Sequence, residues 1–164
     1  MGHPSRTTLY FAYGSCMDEE RLREHGVHHF FQDVVGAGVL SGYRLAFTRR
    51  RGNYAYADIV QDRRHSVEGI VYRLPPEGVA YLDEREGRGV AYEHLWVEVV
   101  VGRTVLSPVL TYTVIDKYFP ELPPSETYLR EILRGADGIL SPRYMKQLRE
   151  RLKRQFHLDM SNIR

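Results

Sequence analysis

Ser66-Val-Glu-Gly-Ile-Val-Tyr-Arg-Leu-Pro-Pro-Glu-Gly-Val-Ala-Tyr-Leu-Asp-Glu-Arg-Glu-Gly-Arg-Gly89 is the stretch on which the fold turns, because its periodicity changes partway through. Ser66 to Leu74 reads as a strand. Pro75 and Pro76 stand where a helix opens, since proline's preset φ suits a first turn and its missing N–H costs nothing there. Gly78 to Glu86 then carries apolar Val79, Ala80 and Leu82, and Gly87 and Gly89 break the pattern. An alternating strand, Tyr92 to Val101, follows. A helix set between strands that belong to longer strand runs points to an α+β protein.

Upstream, Leu9 to Tyr13 reads as a buried strand entering a Gly14-Ser15 turn and a polar helix, Asp18 to His25. Val34 to Leu40 and Tyr43 to Thr48 read as strands joined by a Ser41-Gly42 turn, with Gly36 and Gly38 weakening the first. Tyr54 to Val60 forms a hairpin with Ser66 to Leu74 across a polar link, Gln61 to His65. Downstream, Gly102-Arg103 resembles a tight turn joining Tyr92 to Val101 with Val105 to Val114. Pro123-Pro124-Ser125 precedes a helix from Glu126 to Arg134, and Ser141-Pro142 opens a last one ending near Phe156. With no repeat and no long linker, residues 1–164 read as one domain, residues 1–7 being a loosely held tail.

At 164 residues the chain is long enough to bury roughly two-thirds of its unfolded surface without metals or disulfides. The lone Cys16 forms no intrachain bridge and, with no signal-like apolar region, fits a reducing cytoplasm. No apolar run approaches the roughly 18 residues of a membrane helix. Lys plus Arg number 23 against 21 Asp plus Glu, so a net charge of +2 gives little reason to invoke nucleic acid. The clusters Arg49-Arg50-Arg51, Arg63-Arg64 and Arg149 to Arg154 read as solvated faces.

Two segments about seventy residues apart carry the candidate chemistry, Tyr10-Phe-Ala-Tyr-Gly-Ser-Cys16 and Leu82-Asp-Glu-Arg-Glu-Gly87. Backbone N–H groups at the Gly14-Ser15 turn, ahead of a helix N-terminus, suit an anion. Glu86, at a glycine-flanked helix end, is a candidate general base. Each also has an ordinary reading, the first as a capping turn and the second as part of a solvated charged run. Ser15 and Cys16 are nucleophile types without a recognisable base. His25, His28 and His29 lack the further donors a metal site needs, and Gly36 to Gly42 lacks the spacing of a dinucleotide loop. Twelve tyrosines against six phenylalanines, Tyr13, Tyr72, Tyr92, Tyr112 and Tyr128 among them, could line a small polar pocket with their hydroxyls or simply pack the core.

In combination and order, the Tyr10-to-Ser15 strand-turn, the Leu82-to-Gly87 segment and Tyr92 resemble the gamma-glutamylcyclotransferase family. Leu45-Ala-Phe47, Val67 to Tyr72, Thr111-Tyr112, Pro124 to Tyr128 and Gly135-Ala136 extend the likeness over nearly the whole chain. The resemblance implies a small, mixed β-barrel flanked by α-helices, with a pocket at one end. It implies release of 5-oxoproline from a gamma-glutamyl amine or amino acid, in the cytoplasm and without cofactor or metal. Glu86 is then the acid/base, Tyr10, Phe11, Ala12, Tyr13, Gly14, Ser15 and Cys16 form the substrate-binding loop, and Tyr92, Tyr112 and Tyr128 line the pocket wall. The partner implied is a small gamma-glutamyl molecule, with a homodimer allowed and neither nucleic acid nor membrane. The alternative is a non-catalytic binding relative of the same fold. Two departures stand out: Cys16 replaces an asparagine common in the family, and the interval from Glu86 to Tyr92 is a residue shorter than in animal enzymes.

Overall fold

A computed structural model describes residues 6–163. Five strands close into a barrel in the order β1-β3-β2-β4-β5. These are β1 (Thr8–Ala12), β2 (Val34–Arg51), β3 (Tyr54–Leu74), β4 (Tyr92–Val101) and β5 (Thr104–Val114). All neighbours are antiparallel except β1 and β5, which meet in parallel at Tyr10 and Leu110 and make the barrel mixed. Four α-helices accompany it: α1 (Glu19–Glu24), α2 (Pro76–Glu86), α3 (Glu126–Ala136) and α4 (Pro142–Phe156). The expected tail over residues 1–7 lies, up to residue 5, outside the described residues, and Arg6 and Thr7 lead exposed into β1.

Inward-facing residues of every strand fill the barrel, with Phe11, Phe47, Ile59, Ile70 and Leu110 fully buried. Burial of this kind contributes about 25 cal/mol for each Å² of apolar surface removed from water. Pro76 opens α2 and Gly87, in the left-handed region at φ 63°, ends it. Ser125 and Ser141 cap α3 and α4 by accepting from Tyr128 N and Tyr144 N. α3 rests closely on the chain after β1, because a Cβ at Gly135 would lie 2.4 Å from the Met17 carbonyl carbon.

Three expectations need correction. The Ser41-Gly42 turn is a bulge inside one continuous β2, with Gly42 at φ 83° and pairing that jumps from Ser41–Ser66 to Tyr43–Gln61. The same jump absorbs the polar link Gln61 to His65 as a hump within β3, so the expected hairpin of residues 54–60 with 66–74 is a single strand. A long hairpin can bend around a small barrel only with such a fault, so residues that look like turns serve as bends. The helix expected from Asp18 begins instead at Glu19, after a separate 3₁₀ turn over Ser15–Met17.

Candidate active site

At one end of the barrel a cleft of about 340 Å³ is lined by Tyr10, Tyr13, Gly14, Ser15, Cys16, Ala57, Glu86, Tyr92, Tyr112 and Tyr128. Elements far apart in sequence meet here: the end of β1, the start of β3, the C-terminus of α2, the start of β4, β5 and the first turn of α3. Phe11 and Ala12, named with the loop from sequence, do not line it. Both are fully buried in the core, where the Phe11 carbonyl accepts from Thr111 Oγ1 at 2.9 Å.

Past β1 the chain turns tightly, Met17 N donating to Gly14 O and Asp18 N to Ser15 O. The 3₁₀ turn uses those two donors and leaves the N–H groups of Gly14, Ser15 and Cys16 without an acceptor among the described residues. The unengaged N–H groups therefore belong to this turn and not to α1. Asp18, which might have capped α1, is instead clamped by Arg134 of α3 through three hydrogen bonds. The Cys16 side chain is buried, and burial pushes its thiol up to about 11 although Arg85 pulls the other way.

Glu86 enters the cleft from the last turn of α2, its side chain only 20 % exposed. Burial raises its carboxyl above the ordinary glutamate range, and neighbouring Arg85 opposes the rise. The Arg85 Nε lies 3.5 Å from Glu86 Oε1, while Nη2 donates to Ser15 Oγ at 3.3 Å. Arg85 thus ties the α2 end to the turn after β1, a link invisible in the sequence because it spans seventy positions.

The hydroxyls of the cleft are polarised by what they bond behind it. Carbonyls and ionised carboxylates only accept, so a phenol facing one must donate. Tyr13 donates to Tyr112 O at 2.6 Å, Tyr92 to Ala57 O at 2.8 Å and Tyr112 to Asp83 Oδ1 at 2.5 Å. These three present lone pairs to a ligand. Tyr128 is the reverse: its oxygen accepts from Ala57 N at 3.1 Å, leaving its proton free to donate. Burial raises all four phenols, so they stay neutral near pH 7. The Tyr128 oxygen also lies beside Gly14, 3.2 Å from where a Cβ there would sit, so the donors cluster on one side.

Sequence reading missed Ala57 and the pair behind Tyr112. Nothing marks Ala57, a small residue whose backbone alone does the work. Asp83 was visible in the Leu82-to-Gly87 segment but had no partner to suggest a role. It accepts from Tyr112 and lies 2.6 Å from His94 Nε2, with Arg88 at 3.4 Å. Burial alone would raise the Asp83 carboxyl, but Tyr112 and His94 outweigh it and hold it below its usual range. Of the three histidines weighed as ligands, His28 bonds Glu19, His25 approaches Tyr81 and His29 packs on Phe30.

The sequence profile of the AIG2-like family matches residues 66–148. YkqA of Bacillus subtilis (strain 168), whose naming as a gamma-glutamylcyclotransferase is provisional, is 40 % identical over 144 residues, covering 87 % of this chain and 51 % of YkqA. Its crystal structure superposes with a TM-score of 0.84 at 39 % identity, over 90 % of this chain and 55 % of that one. The chain therefore spans about half the length of this relative. The mouse (Mus musculus) protein named gamma-glutamylcyclotransferase is 27 % identical over 157 residues, 90 % of this chain and 80 % of its own. A solved gamma-glutamyl cyclotransferase at 24 % identity shares the fold, with a TM-score of 0.72 over 90 % of this chain and 87 % of that one.

Proposed function

Because the chain belongs to the AIG2-like family and is similar to proteins named gamma-glutamylcyclotransferase, we propose that it releases 5-oxoproline from a gamma-glutamyl compound, with Glu86 as the proton carrier. The observation that carries this reading is the polarity of the cleft. Glu86 and the lone pairs of Tyr13, Tyr92 and Tyr112 suit an amine, while the Tyr128 hydroxyl and the N–H groups of Gly14 to Cys16 suit a substrate oxygen. That oxygen is the α-carboxylate or the γ-carbonyl.

The substrate's α-amine attacks its own γ-carbonyl carbon, and held in a folded conformer the attack is intramolecular. An ammonium has no lone pair to attack with. Its pKa, about 8 in peptides and higher in free amino acids, calls for a base, and Glu86 removes the proton as the new C–N bond forms. The tetrahedral intermediate then collapses. The old C–N bond breaks as Glu86 returns its proton to the departing amine, which then takes up the second proton shed by the ring nitrogen and leaves as an ammonium beside 5-oxoproline. Incubation with a panel of gamma-glutamyl compounds, read for 5-oxoproline by mass spectrometry, tests the assignment directly; binding without product across the panel would mark a non-catalytic relative.

This route needs no covalent intermediate, and a thiol titrating near 11 supplies little thiolate at neutral pH. Cys16→Ser should therefore retain turnover to within about fivefold, since the backbone N–H is unchanged. A serine variant that folds and binds but does not turn over would require a thiolate mechanism instead.

Tyr128→Phe should raise KM about twofold to tenfold, the value of one neutral hydrogen bond of roughly 0.5–1.5 kcal/mol. It should also lower thermal stability slightly, because Ala57 N loses its acceptor. Steady-state kinetics beside a melting curve separate the two; a lower melting temperature with unchanged KM would leave Tyr128 only a packing role.

A further inference from the structure

Beyond the cleft lies an outer groove of about 1470 Å³ that shares Ser15, Glu86, Tyr92 and Tyr128 with it. On the proposed chemistry, a gamma-glutamyl head in the inner cleft sends its leaving group outward past Glu86 into this groove. The charges there decide what that group should be. Glu86 faces Arg85, and Glu131 is engaged by Arg21 at 3.1 Å. Among the described residues Glu84 is then the one groove carboxylate without an ion pair, and it is exposed.

The cations are not balanced in the same way. Arg49 and Arg51, two positions apart on β2 and so on one face of the strand, both line the groove. Among the described residues Arg51 bonds only the Tyr56 hydroxyl, at 3.0 Å, and no carboxylate. Arg49 is half-buried and has neither carboxylate nor hydrogen-bond acceptor among the described residues. Of the other arginines not fully exposed, Arg21, Arg44, Arg85 and Arg151 each pair with a carboxylate, and Arg149 bonds the Ile163 carbonyl. Arg49 lines the groove together with Tyr92, and a partly desolvated guanidinium gains from an anionic partner. Its five donors in a planar fork match a carboxylate.

We infer that Arg49, supported by Arg51, is a specificity-determining residue that binds a carboxylate on the leaving group. The substrates favoured are then gamma-glutamyl amino acids or peptides over gamma-glutamyl amines. This rests on the catalytic reading above, and a matched pair of substrates separates the two. Gamma-glutamylalanine and gamma-glutamylethylamine differ only by the leaving group's carboxylate. The wild-type protein should show a kcat/KM at least tenfold higher for the alanine compound. Arg49→Gln should collapse that ratio by about tenfold to a hundredfold, Arg49→Lys should keep part of it, and Arg51→Gln, at an exposed position, should lower it less.

A wild-type ratio near one, or a ratio untouched in Arg49→Gln, would overturn the subsite while leaving the catalytic reading intact. Equal losses on both substrates would place Arg49 against the glutamyl half and also overturn it. No 5-oxoproline from either compound, nor from the wider panel, would overturn the catalytic reading and this inference with it.

Discussion

Glu86→Gln is expected to lose turnover by roughly a hundredfold to ten-thousandfold, the range over which a positioned general base contributes. The amide keeps the shape of the side chain in the cleft but cannot take a proton from the α-ammonium. Substrate affinity should change much less, because the three phenol lone pairs and the turn N–H groups remain. The pH profile supplies an independent check. Glu86 must be ionised to act as base, and its carboxyl is raised by burial, so activity should climb with pH on a limb lying above the ordinary glutamate range. The sign for stability is opposite: a carboxyl raised in the folded state contributes stability that is present at low pH and lost as pH rises through the folded value. Glutamine, carrying no charge into the cleft, escapes that penalty, so the variant should remain folded. Activity within a few-fold of the parent would remove Glu86 from the mechanism.

The largest loss of stability is expected from Asp58→Ala, at about 3–5 kcal/mol, the usual cost of removing one partner from a buried ion pair. Asp58 is fully buried in β3 and receives Thr48 Oγ1 at 2.7 Å, Thr113 Oγ1 at 2.9 Å, Val114 N at 2.9 Å and Lys117 Nζ at 2.7 Å. It thereby joins β2, β3 and β5 beneath the cleft. Alanine would leave all four donors without it, and Lys117 would keep only Thr113 Oγ1 and the Val114 carbonyl. For a chain of this size the melting temperature should fall by roughly 10 °C. Asp58→Asn, retaining an acceptor, should fall less. The neighbouring Ala57 holds the Tyr92 and Tyr128 hydroxyls, so the surviving folded fraction should also bind substrate more weakly. A melting point within two or three degrees of the parent would show the network to be dispensable.

Most element positions were legible because their signals are local: Pro76 and Gly87 bound α2, and Ser125 and Ser141 cap α3 and α4. Gly42 misled because the same glycine geometry serves a hairpin turn or a bulge, and only the partner strand shows which. The candidate site was legible where residue type and motif coincide, at Gly14, Ser15 and Glu86. The hydrogen bond from Arg85 to Ser15 and the donation of Tyr112 to Asp83 were not, since each joins elements that only strand pairing brings together. Ala57 could not have been found, as its contribution is main-chain.

The pairing of Tyr10 with Leu110, where the first and last described strands close the barrel, sets the order in which the cleft can assemble. Among the described strands β1 is made first, yet both its neighbours come much later and β5 comes last. Such distant pairings are slow to form, because the entropy of a long loop is lost before any contact rewards it. Tyr112 of β5 joins Glu86 and the turn at Gly14 only once that seam is shut. A nascent chain halted before β5 therefore holds both motif segments but lacks the β5 wall of the cleft and the Tyr128 that follows it.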